Sequence, residues 1–273
     1  MGSILVSTSP RWSLRRKMPQ KPCFSGRAFT LVSANFNSVP LVVEYHRPES
    51  LAEAVELLQQ PDHIALAGGT VVNADRNRSQ LVAVDLQSLG LDGVSREASQ
   101  MRFGAMCRLS EVERQCGGDL LAEAARRELP STLRTVGTVG GTVAAGGGES
   151  LMLAALMASG ATVRTANGDE VSVERYVSTP GDLIVGVDAT AEGPWAIEHT
   201  GRTPMDTPIV AVVGRQAEDG ITLALTGVAS HPVVARSIDD INQLIPIDDF
   251  RGSSEYRHHL AVTLGERVLG DLS

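Results

Sequence analysis

Two short glycine-rich segments constrain this chain more than any other feature of its sequence. Ala67-Gly68-Gly69-Thr70 and Val139-Gly140-Gly141-Thr142 each follow apolar residues and end in a hydroxyl side chain. Adjacent glycines allow a sharp turn and leave backbone N–H groups uncovered by side chains. Successive exposed N–H groups form a concavity that binds anions, most often phosphate. Close packing or flexibility would explain one such segment, but two similar segments favour a shared ligand.

The second segment belongs to a longer glycine-rich stretch. Six of the fourteen residues from 137 to 150 are glycine, and we interpret the stretch as a loop. It leads to an apolar helix that is expected to begin near Glu149 and to stop at Gly160. The positive end of that helix would add to an anion site. The chain lacks a strand–GxGxxG–helix unit with a downstream acid, so these segments are not the dinucleotide fingerprint.

The remaining pattern mixes short apolar strands with amphipathic helices. Ser50 and Glu53 form a capping-box pattern before a helix that Pro61 ends. Hairpins are expected around Asn167-Gly168 and between residues 208 and 228. Further strands are expected at 64–67, 81–86, 101–106 and 181–188, and further helices at 110–114, 120–128, 237–244 and 254–269. Because no strict βαβ repeat is present, the pattern predicts an α+β fold in two or three lobes.

Charge divides the chain near residue 40. Residues 1–40 carry six lysines or arginines and no acid, whereas the whole chain has a net charge of −8, which leaves −14 on residues 41–273. The basic segment reads as a transit peptide, as a disordered tail, or as upstream sequence before a natural start at Met18. An acidic body repels phosphate backbones, so we expect no nucleic-acid partner. No apolar run approaches the ~18 residues of a membrane span.

Cysteine and histidine spacing predicts no metal centre. Cys23, Cys107 and Cys116 form no CxxC pair, and the six histidines show no HxxxH or HExxH pattern. A reducing, cytoplasmic compartment is the expectation that follows from this cysteine usage. No catalytic side chain is predicted.

Five segments, in order, resemble the FAD-binding (medium) subunit of the molybdenum hydroxylase family: YHRPESLAEAVELL, ALAGGT, LVAVDL, RFGAMCRLSEVE and RTVGTVGGTVA. That family includes the carbon monoxide dehydrogenase medium subunit and the flavin domain of xanthine dehydrogenase. Its C-terminal domain is similar to GRTPMDTPIVAVV, LTGVASHPVVA and DDFRGSSEYRHHL here, so the resemblance spans roughly residues 43 to 270. It implies a two-lobed FAD-binding domain of the molybdopterin dehydrogenase type, followed by a small α+β C-terminal domain. The expected ranges are 1–40 for a basic, disordered N-terminal extension, 41–95 and 96–190 for the lobes, and 191–273 for the C-terminal domain.

The resemblance also implies that the two glycine-rich segments hold FAD. They would cradle its pyrophosphate and ribityl chain, with Thr70 and Thr138 donating hydroxyl hydrogen bonds. Leu183 would pack on the flavin, and Trp195 or Ile197 would lie near the ring. The candidate cofactor-binding residues are Ala67, Gly68, Gly69, Thr70, Thr138, Val139, Gly140, Gly141, Thr142, Glu149 and Leu183.

The chain departs from the family pattern after the second segment. Where the family has Asn, then Asp-Pro and a further Asp, this chain has Thr142, Gly147-Gly148 and Leu151. Glu149 is the candidate replacement for one of the acids. Each lost hydrogen bond costs about 1 kcal/mol, so several would weaken FAD binding roughly 10- to 1,000-fold.

The function implied by the resemblance is that of an FAD-dependent oxidoreductase subunit. In the family, a molybdenum-cofactor subunit hydroxylates the substrate, and a [2Fe–2S] subunit passes the electrons to the flavin. Two alternatives stay open. One is a flavin-poor structural subunit that keeps the interfaces with its partners, and the other is a stand-alone phosphate- or nucleotide-binding protein.

Overall fold

The computed structural model describes residues 29–30, 42–74, 81–190, 192–201 and 206–273. Over these ranges the chain forms three sheets with helices packed against them, which confirms the predicted α+β class. None of the described helices combines the length and the apolar character that crossing a bilayer requires. Within the same ranges, no three His, Cys, Asp or Glu side chains gather into a metal-binding group.

The first lobe is a four-stranded sheet with one helix. Its strands are β1 (Phe29–Thr30), β2 (Val42–His46), β3 (His63–Leu66) and β4 (Leu81–Asp85), in the order β1-β2-β4-β3. β2 and β3 are parallel to β4, and helix α1 (Leu51–Leu58) connects them. A 3-10 turn, Gln87–Leu89, follows β4. The strand β1 lies within the range expected for the N-terminal extension.

Helix α1 begins as the sequence predicts, with one difference. The Ser50 hydroxyl accepts a hydrogen bond from the Glu53 N–H at 3.2 Å. The Glu53 carboxylate, however, accepts from the N–H of Glu49 at 3.0 Å rather than from that of Ser50. The reciprocal bond of the expected capping box is therefore displaced by one residue.

The second lobe is an antiparallel five-stranded sheet. Its strands are β5 (Val94–Glu97), β6 (Gln100–Gly104), β7 (Thr162–Thr165), β8 (Glu170–Ser172) and β9 (Ile184–Thr190), in the order β5-β6-β9-β7-β8. Its helices are α2 (Leu109–Gln115), α3 (Leu120–Glu128), α4 (Ser131–Arg134), α5 (Val139–Ala145), α6 (Leu151–Ala158) and α7 (Val173–Ser178). Strand β5 runs from Val94 to Glu97, so it spans the boundary between the two lobes that was expected between residues 95 and 96.

Three helices of this lobe were not expected: α4, α5 and α7. The prediction of a loop through residues 137–148 is wrong, because α5 forms within it. The Thr138 hydroxyl caps α5 by accepting from the Gly141 N–H at 3.1 Å, and Gly146, with φ of +61°, ends it. The second strand of the hairpin expected around Asn167-Gly168 ends at Ser172, where helix α7 begins. The Ser172 hydroxyl caps α7 by accepting a hydrogen bond from the Arg175 N–H.

The third domain packs on the second lobe. Its antiparallel sheet contains β10 (Trp195–His199), β11 (Ala211–Ala217), β12 (Gly220–Thr226) and β13 (Val233–Ala235), followed by α8 (Ile238–Asn242) and α9 (Ser254–Asp271). Helix α6 contacts α3 on one side and this sheet on the other, and all its residues are buried. One apolar core therefore joins the second lobe to the third sheet.

Candidate functional site

The two glycine-rich segments meet where the first two lobes touch. We call residues 67–70 the first diglycine segment and residues 138–142 the second. A Cβ atom at Gly68 would lie only 1.9 Å from the carbonyl oxygen of Val136, and one at Gly140 would lie 2.7 Å from the Cβ of Ala105. At these two positions the absence of a side chain lets the backbones approach. Close packing, the simpler of the two explanations, therefore accounts for Gly68 and Gly140.

An apolar cavity of about 280 Å³ opens between the two lobes beside this contact. We call it the inter-lobe cavity. Four of the candidate residues line it: Ala67, Gly140, Gly141 and Leu183. The rest of its wall is Val55, Leu58, Gln59, Ala65, Leu86, Ala105, Met106, Ala144, Tyr176, Asp182 and Ile184. The wall is mainly aliphatic, which suits a flat, apolar ring system.

A second, more polar cavity of about 210 Å³ is also lined by Ala67. Ala67 and Met106 line both cavities, so the two adjoin. We call this one the arginine cavity, because Arg47 and Arg108 both line it. Its other lining residues are Gly68, Gln87, Leu91, Asp92, Val136 and Thr138.

Backbone N–H groups distinguish the two diglycine segments. In the first, the N–H groups of Gly68, Gly69 and Thr70 donate to no acceptor among the described residues. Gly69 has φ of +69°, a backbone conformation that favours glycine. These donors remain available to an anion.

In the second segment every N–H group from 139 to 142 already has a protein acceptor. Those of Val139 and Gly140 donate to the carbonyl oxygens of residues 107 and 105, each at 2.9 Å. Those of Gly141 and Thr142 donate to the hydroxyl and carbonyl oxygens of Thr138, at 3.1 and 2.9 Å. These four N–H groups are therefore not available to a ligand anion, whereas the Thr138 N–H has no acceptor among the described residues. The chain has folded the four donors into helix α5 and its contact with the sheet.

The N-terminus of α6 is also occupied by the protein itself. The Glu128 carboxylate accepts hydrogen bonds from the Met152 N–H at 2.8 Å and the Ser150 hydroxyl at 2.7 Å. The Ser150 hydroxyl in turn accepts from the Leu153 N–H at 3.0 Å. Burial raises the pKa of Glu128 above its ordinary value, although these hydrogen bonds oppose the shift. A buried carboxylate thus takes the place where the sequence suggested a ligand anion.

Glu149 does not join the other candidates. Its exposed carboxylate pairs with Arg251, which also donates to the carbonyl oxygens of Thr207 and Pro208. It lines a separate cavity beside the third domain and neither of the two cavities at the diglycine segments. The expectation that Glu149 replaces a missing acid at the second segment is therefore not supported by its position.

The remaining candidates are placed as follows. Val139 is fully buried in the core, and the Thr142 hydroxyl donates to the Thr138 carbonyl oxygen at 3.1 Å. Thr70 lines neither cavity. Trp195 lies against the α2–α3 connection, away from both cavities, and Ile197 packs on the core.

Sequence reasoning missed Met106, Tyr176, Arg47 and Arg108, which line the two cavities. Arg47 follows β2 and Arg108 precedes α2. No local sequence signal relates them, because the cavity that they share exists only once the two lobes have packed. RFGAMCRLS was recognised for its resemblance, and nothing in it marks Met106 as a wall of two cavities.

These features define a class of protein: two α+β lobes that meet over a ligand cavity, with a third α+β domain packed on the second lobe. Residues 37–188, more than half of the chain, match the family described as FAD binding domain in molybdopterin dehydrogenase. The chain belongs to that family, which confirms the resemblance seen in its sequence, and its cofactor is FAD.

Individual relatives agree. The chain is 29% identical over 251 residues to the uncharacterized protein YgfM of Escherichia coli K12, covering 85% of this chain and 96% of that protein. It is 28% identical over 280 residues to the carbon monoxide dehydrogenase medium chain of Hydrogenophaga pseudoflava, covering 85% and 97%. A solved structure of carbon monoxide dehydrogenase from the same organism superposes with a TM-score of 0.74 at 25% identity, covering 84% and 96%.

Proposed function

We propose that this chain is the FAD-binding electron-transfer subunit of a molybdenum-hydroxylase-type oxidoreductase complex. The observation that carries the proposal is the meeting of the two diglycine segments at adjoining cavities. A Cβ at Gly141 would lie 3.9 Å from that of Ala67, so the two segments come within contact distance where both line the inter-lobe cavity. FAD would be held at this junction.

The residues fit the two chemical parts of FAD. Its rings are flat and largely apolar, and the inter-lobe cavity offers an aliphatic wall that includes Leu183 and Met106. Its diphosphate is anionic, and the N–H of Gly68, which has no acceptor among the described residues, is a suitable donor because Gly68 lines the arginine cavity. Ala67 lies at the boundary between the two cavities, so one extended molecule could contact both.

When bound, FAD supplies reversible electron transfer, and the protein's role is to bind, orient and shield it. The aliphatic wall of the inter-lobe cavity excludes water from one part of the cofactor. The first diglycine segment would hold the diphosphate part of the cofactor in position. Tyr176, whose hydroxyl donates to the Asp182 carbonyl oxygen at 3.0 Å, is held in one orientation at the cavity wall.

The partners are part of the same proposal. The Hydrogenophaga relative is named as the medium chain of an enzyme, which implies other chains beside it. We propose a molybdenum-cofactor subunit and a [2Fe–2S] subunit as the partners here, with electrons passing from the clusters to the flavin and on to an acceptor. The cytoplasm is the proposed compartment.

A second candidate is a structural subunit that binds FAD weakly. The observation favouring it is that the donors of the second segment and of the α6 N-terminus are already bonded within the protein. Leu151, where the family has an acid, is buried in the core. Such a chain would keep its interfaces and transfer few electrons.

Titration of the purified chain with FAD, followed by quenching of flavin fluorescence, separates the two. Electron transfer requires saturable binding with a Kd of about micromolar or tighter. Gly141→Val should abolish that binding, because the new side chain would project between Thr138 and Ala67. Gly147→Val is the matched control, since a Cβ there meets nothing within 4 Å. A folded wild-type chain that shows no saturation up to about millimolar FAD would favour the structural role.

A further inference from the structure

We propose that Arg47 and Arg108 supply the positive charge that holds the diphosphate of FAD in the arginine cavity, Arg108 being the main contributor. This inference rests on the proposed function for the identity of the ligand. It replaces the recognition expected from the N–H groups of residues 139–142 in the second diglycine segment, which donate within the protein. Two arginines that line the adjoining cavity take over that role.

Arg108 is the stronger of the two because it has no competing partner. It lines the cavity, and no carboxylate among the described residues lies within ion-pair distance of its guanidinium. Most other described arginines in this acidic chain are paired with Asp or Glu, or donate to a backbone carbonyl. Its main chain pairs with that of Thr138, which fixes its position relative to the second segment.

Arg47 is held in place from its other side. Its Nε donates to the Ser88 hydroxyl at 2.7 Å, and its Nη2 lies 3.4 Å from the Gln87 amide oxygen. Asp85 lies 3.8 Å from it, but that carboxylate also accepts from the Tyr45 hydroxyl and the Gln87 N–H. The guanidinium is therefore oriented by its neighbours while half of its surface stays accessible.

The balance of charge around the cavity favours an anion. Asp92 is the one carboxylate among the cavity's lining residues, against two guanidinium groups. Asp85, which lies 3.8 Å from Arg47, offsets part of the charge of that arginine, so Arg108 is the main source of the positive excess. Gly68, whose N–H has no acceptor among the described residues, lines the same cavity, and so does Thr138. Guanidinium groups bind phosphate oxygens through paired N–H donors, which makes a phosphodiester or diphosphate the matching ligand class. Riboflavin, which has no phosphate, would gain nothing from this cavity.

The test compares FAD with riboflavin in the full chain and in Arg108→Gln. Removing a charge-assisted hydrogen bond should weaken FAD binding about 10- to 100-fold and leave riboflavin binding unchanged. Arg108→Lys should restore part of the FAD affinity, and raising the salt concentration should narrow the gap between wild type and Arg108→Gln. Arg175→Gln is the matched control, because Arg175 is exposed on α7 and lines neither cavity.

Binding of inorganic pyrophosphate, measured by calorimetry, keeps this inference separate from the proposed function. Equal FAD affinity in wild type and Arg108→Gln overturns the role of the arginines and leaves the flavin site standing. Pyrophosphate binding that depends on Arg108 in a chain that binds no flavin supports the arginines and overturns the proposed function. The inference is overturned if no arginine variant loses affinity for FAD or for pyrophosphate. It is also overturned if the folded wild type binds neither of these two ligands.

Discussion

Replacing Glu128 by alanine is expected to destabilise the protein through the N-terminus of helix α6. Glu128 accepts from the Met152 N–H and the Ser150 hydroxyl, and it also interacts with the Leu151 N–H. Helix α6 is buried between α3 and the third sheet, and Glu128 is partly buried at its N-terminus, so water has only limited access to the Leu151 and Met152 N–H groups. The substitution therefore leaves buried donors without an acceptor.

The size of the effect follows from those donors. A buried donor left without an acceptor costs about 1–3 kcal/mol, so two backbone N–H groups cost roughly 2–6 kcal/mol. Burial disfavours the ionised carboxylate of Glu128, so its removal offsets part of this cost and leaves a loss of about 2–4 kcal/mol in the free energy of unfolding. At roughly 2–4 °C per kcal/mol for a chain of this size, the expected fall in Tm is about 4–16 °C.

Glu128→Gln separates hydrogen bonding from charge. The amide oxygen can accept from the Met152 N–H, and the amide nitrogen can donate to the Ser150 hydroxyl. Because the pKa of Glu128 is raised on folding, its contribution to stability is full below its ordinary pKa and is lost as pH rises through the folded value. Glu128→Gln should therefore gain stability relative to wild type as pH rises above the ordinary glutamate pKa of about 4.

Thermal unfolding followed by far-UV circular dichroism, at several pH values, measures both effects. Glu56→Ala is the control, since Glu56 is exposed on α1 and its loss should change stability by no more than about 0.5 kcal/mol. If Glu128→Ala unfolds at the same temperature as Glu56→Ala, the capping argument is refuted. A gap between Glu128→Gln and wild type that does not change with pH would refute the assignment of a raised pKa.

Three further predictions concern other parts of the fold. Gly68→Ala should lower Tm whereas Gly147→Ala should not, because a Cβ at Gly68 would meet a carbonyl oxygen at 1.9 Å; equal Tm values would contradict the packing seen here. Burial and a carboxylate partner raise the pKa of Tyr45 to about 12, so its contribution to stability should be full below pH 10 and be lost as pH rises through about 12. The measurement is the tyrosinate absorbance of wild type minus that of Tyr45→Phe, and a difference that titrates near pH 10 would contradict this prediction. Burial raises the pKa of Cys107 and of Cys116 to about 12, so iodoacetamide at pH 8 should alkylate these two cysteines only after the protein unfolds. Peptide mass spectrometry would detect the labelled residues, and rapid labelling of either cysteine in the folded protein would refute this prediction.

Local signals in the sequence predicted the elements that depend on local chemistry. The helix from Leu120 to Glu128 has the predicted bounds, and Gly160 and Gly168 take positive φ values at the predicted helix end and hairpin turn. Helix α5 was missed because paired glycines are poor helix formers. Its first N–H groups find acceptors at residues 105 and 107, which are far away along the chain. Tertiary contacts therefore outweighed local propensity at this position.

The site divides in the same way. Gly68, Gly141 and Leu183 could be predicted from motifs, and each lines one of the two adjoining cavities. Which donors remain free could not be predicted, because that depends on the partners that other segments provide. Arg47 and Arg108 illustrate the point, since 61 positions separate them and one cavity joins them.

The structure thus separates two tasks that the motifs assigned jointly to both diglycine segments. In the second segment the N–H groups of residues 139–142 donate within the protein, and Gly140 and Gly141 contribute to the apolar wall of the inter-lobe cavity. The first keeps its donors free and lies beside two arginines. If this division is correct, Gly141→Val should weaken FAD and riboflavin alike, whereas Arg108→Gln should weaken FAD alone. If each variant weakened FAD binding and riboflavin binding by the same factor, the two diglycine segments would form one undivided site and this division of roles would be wrong.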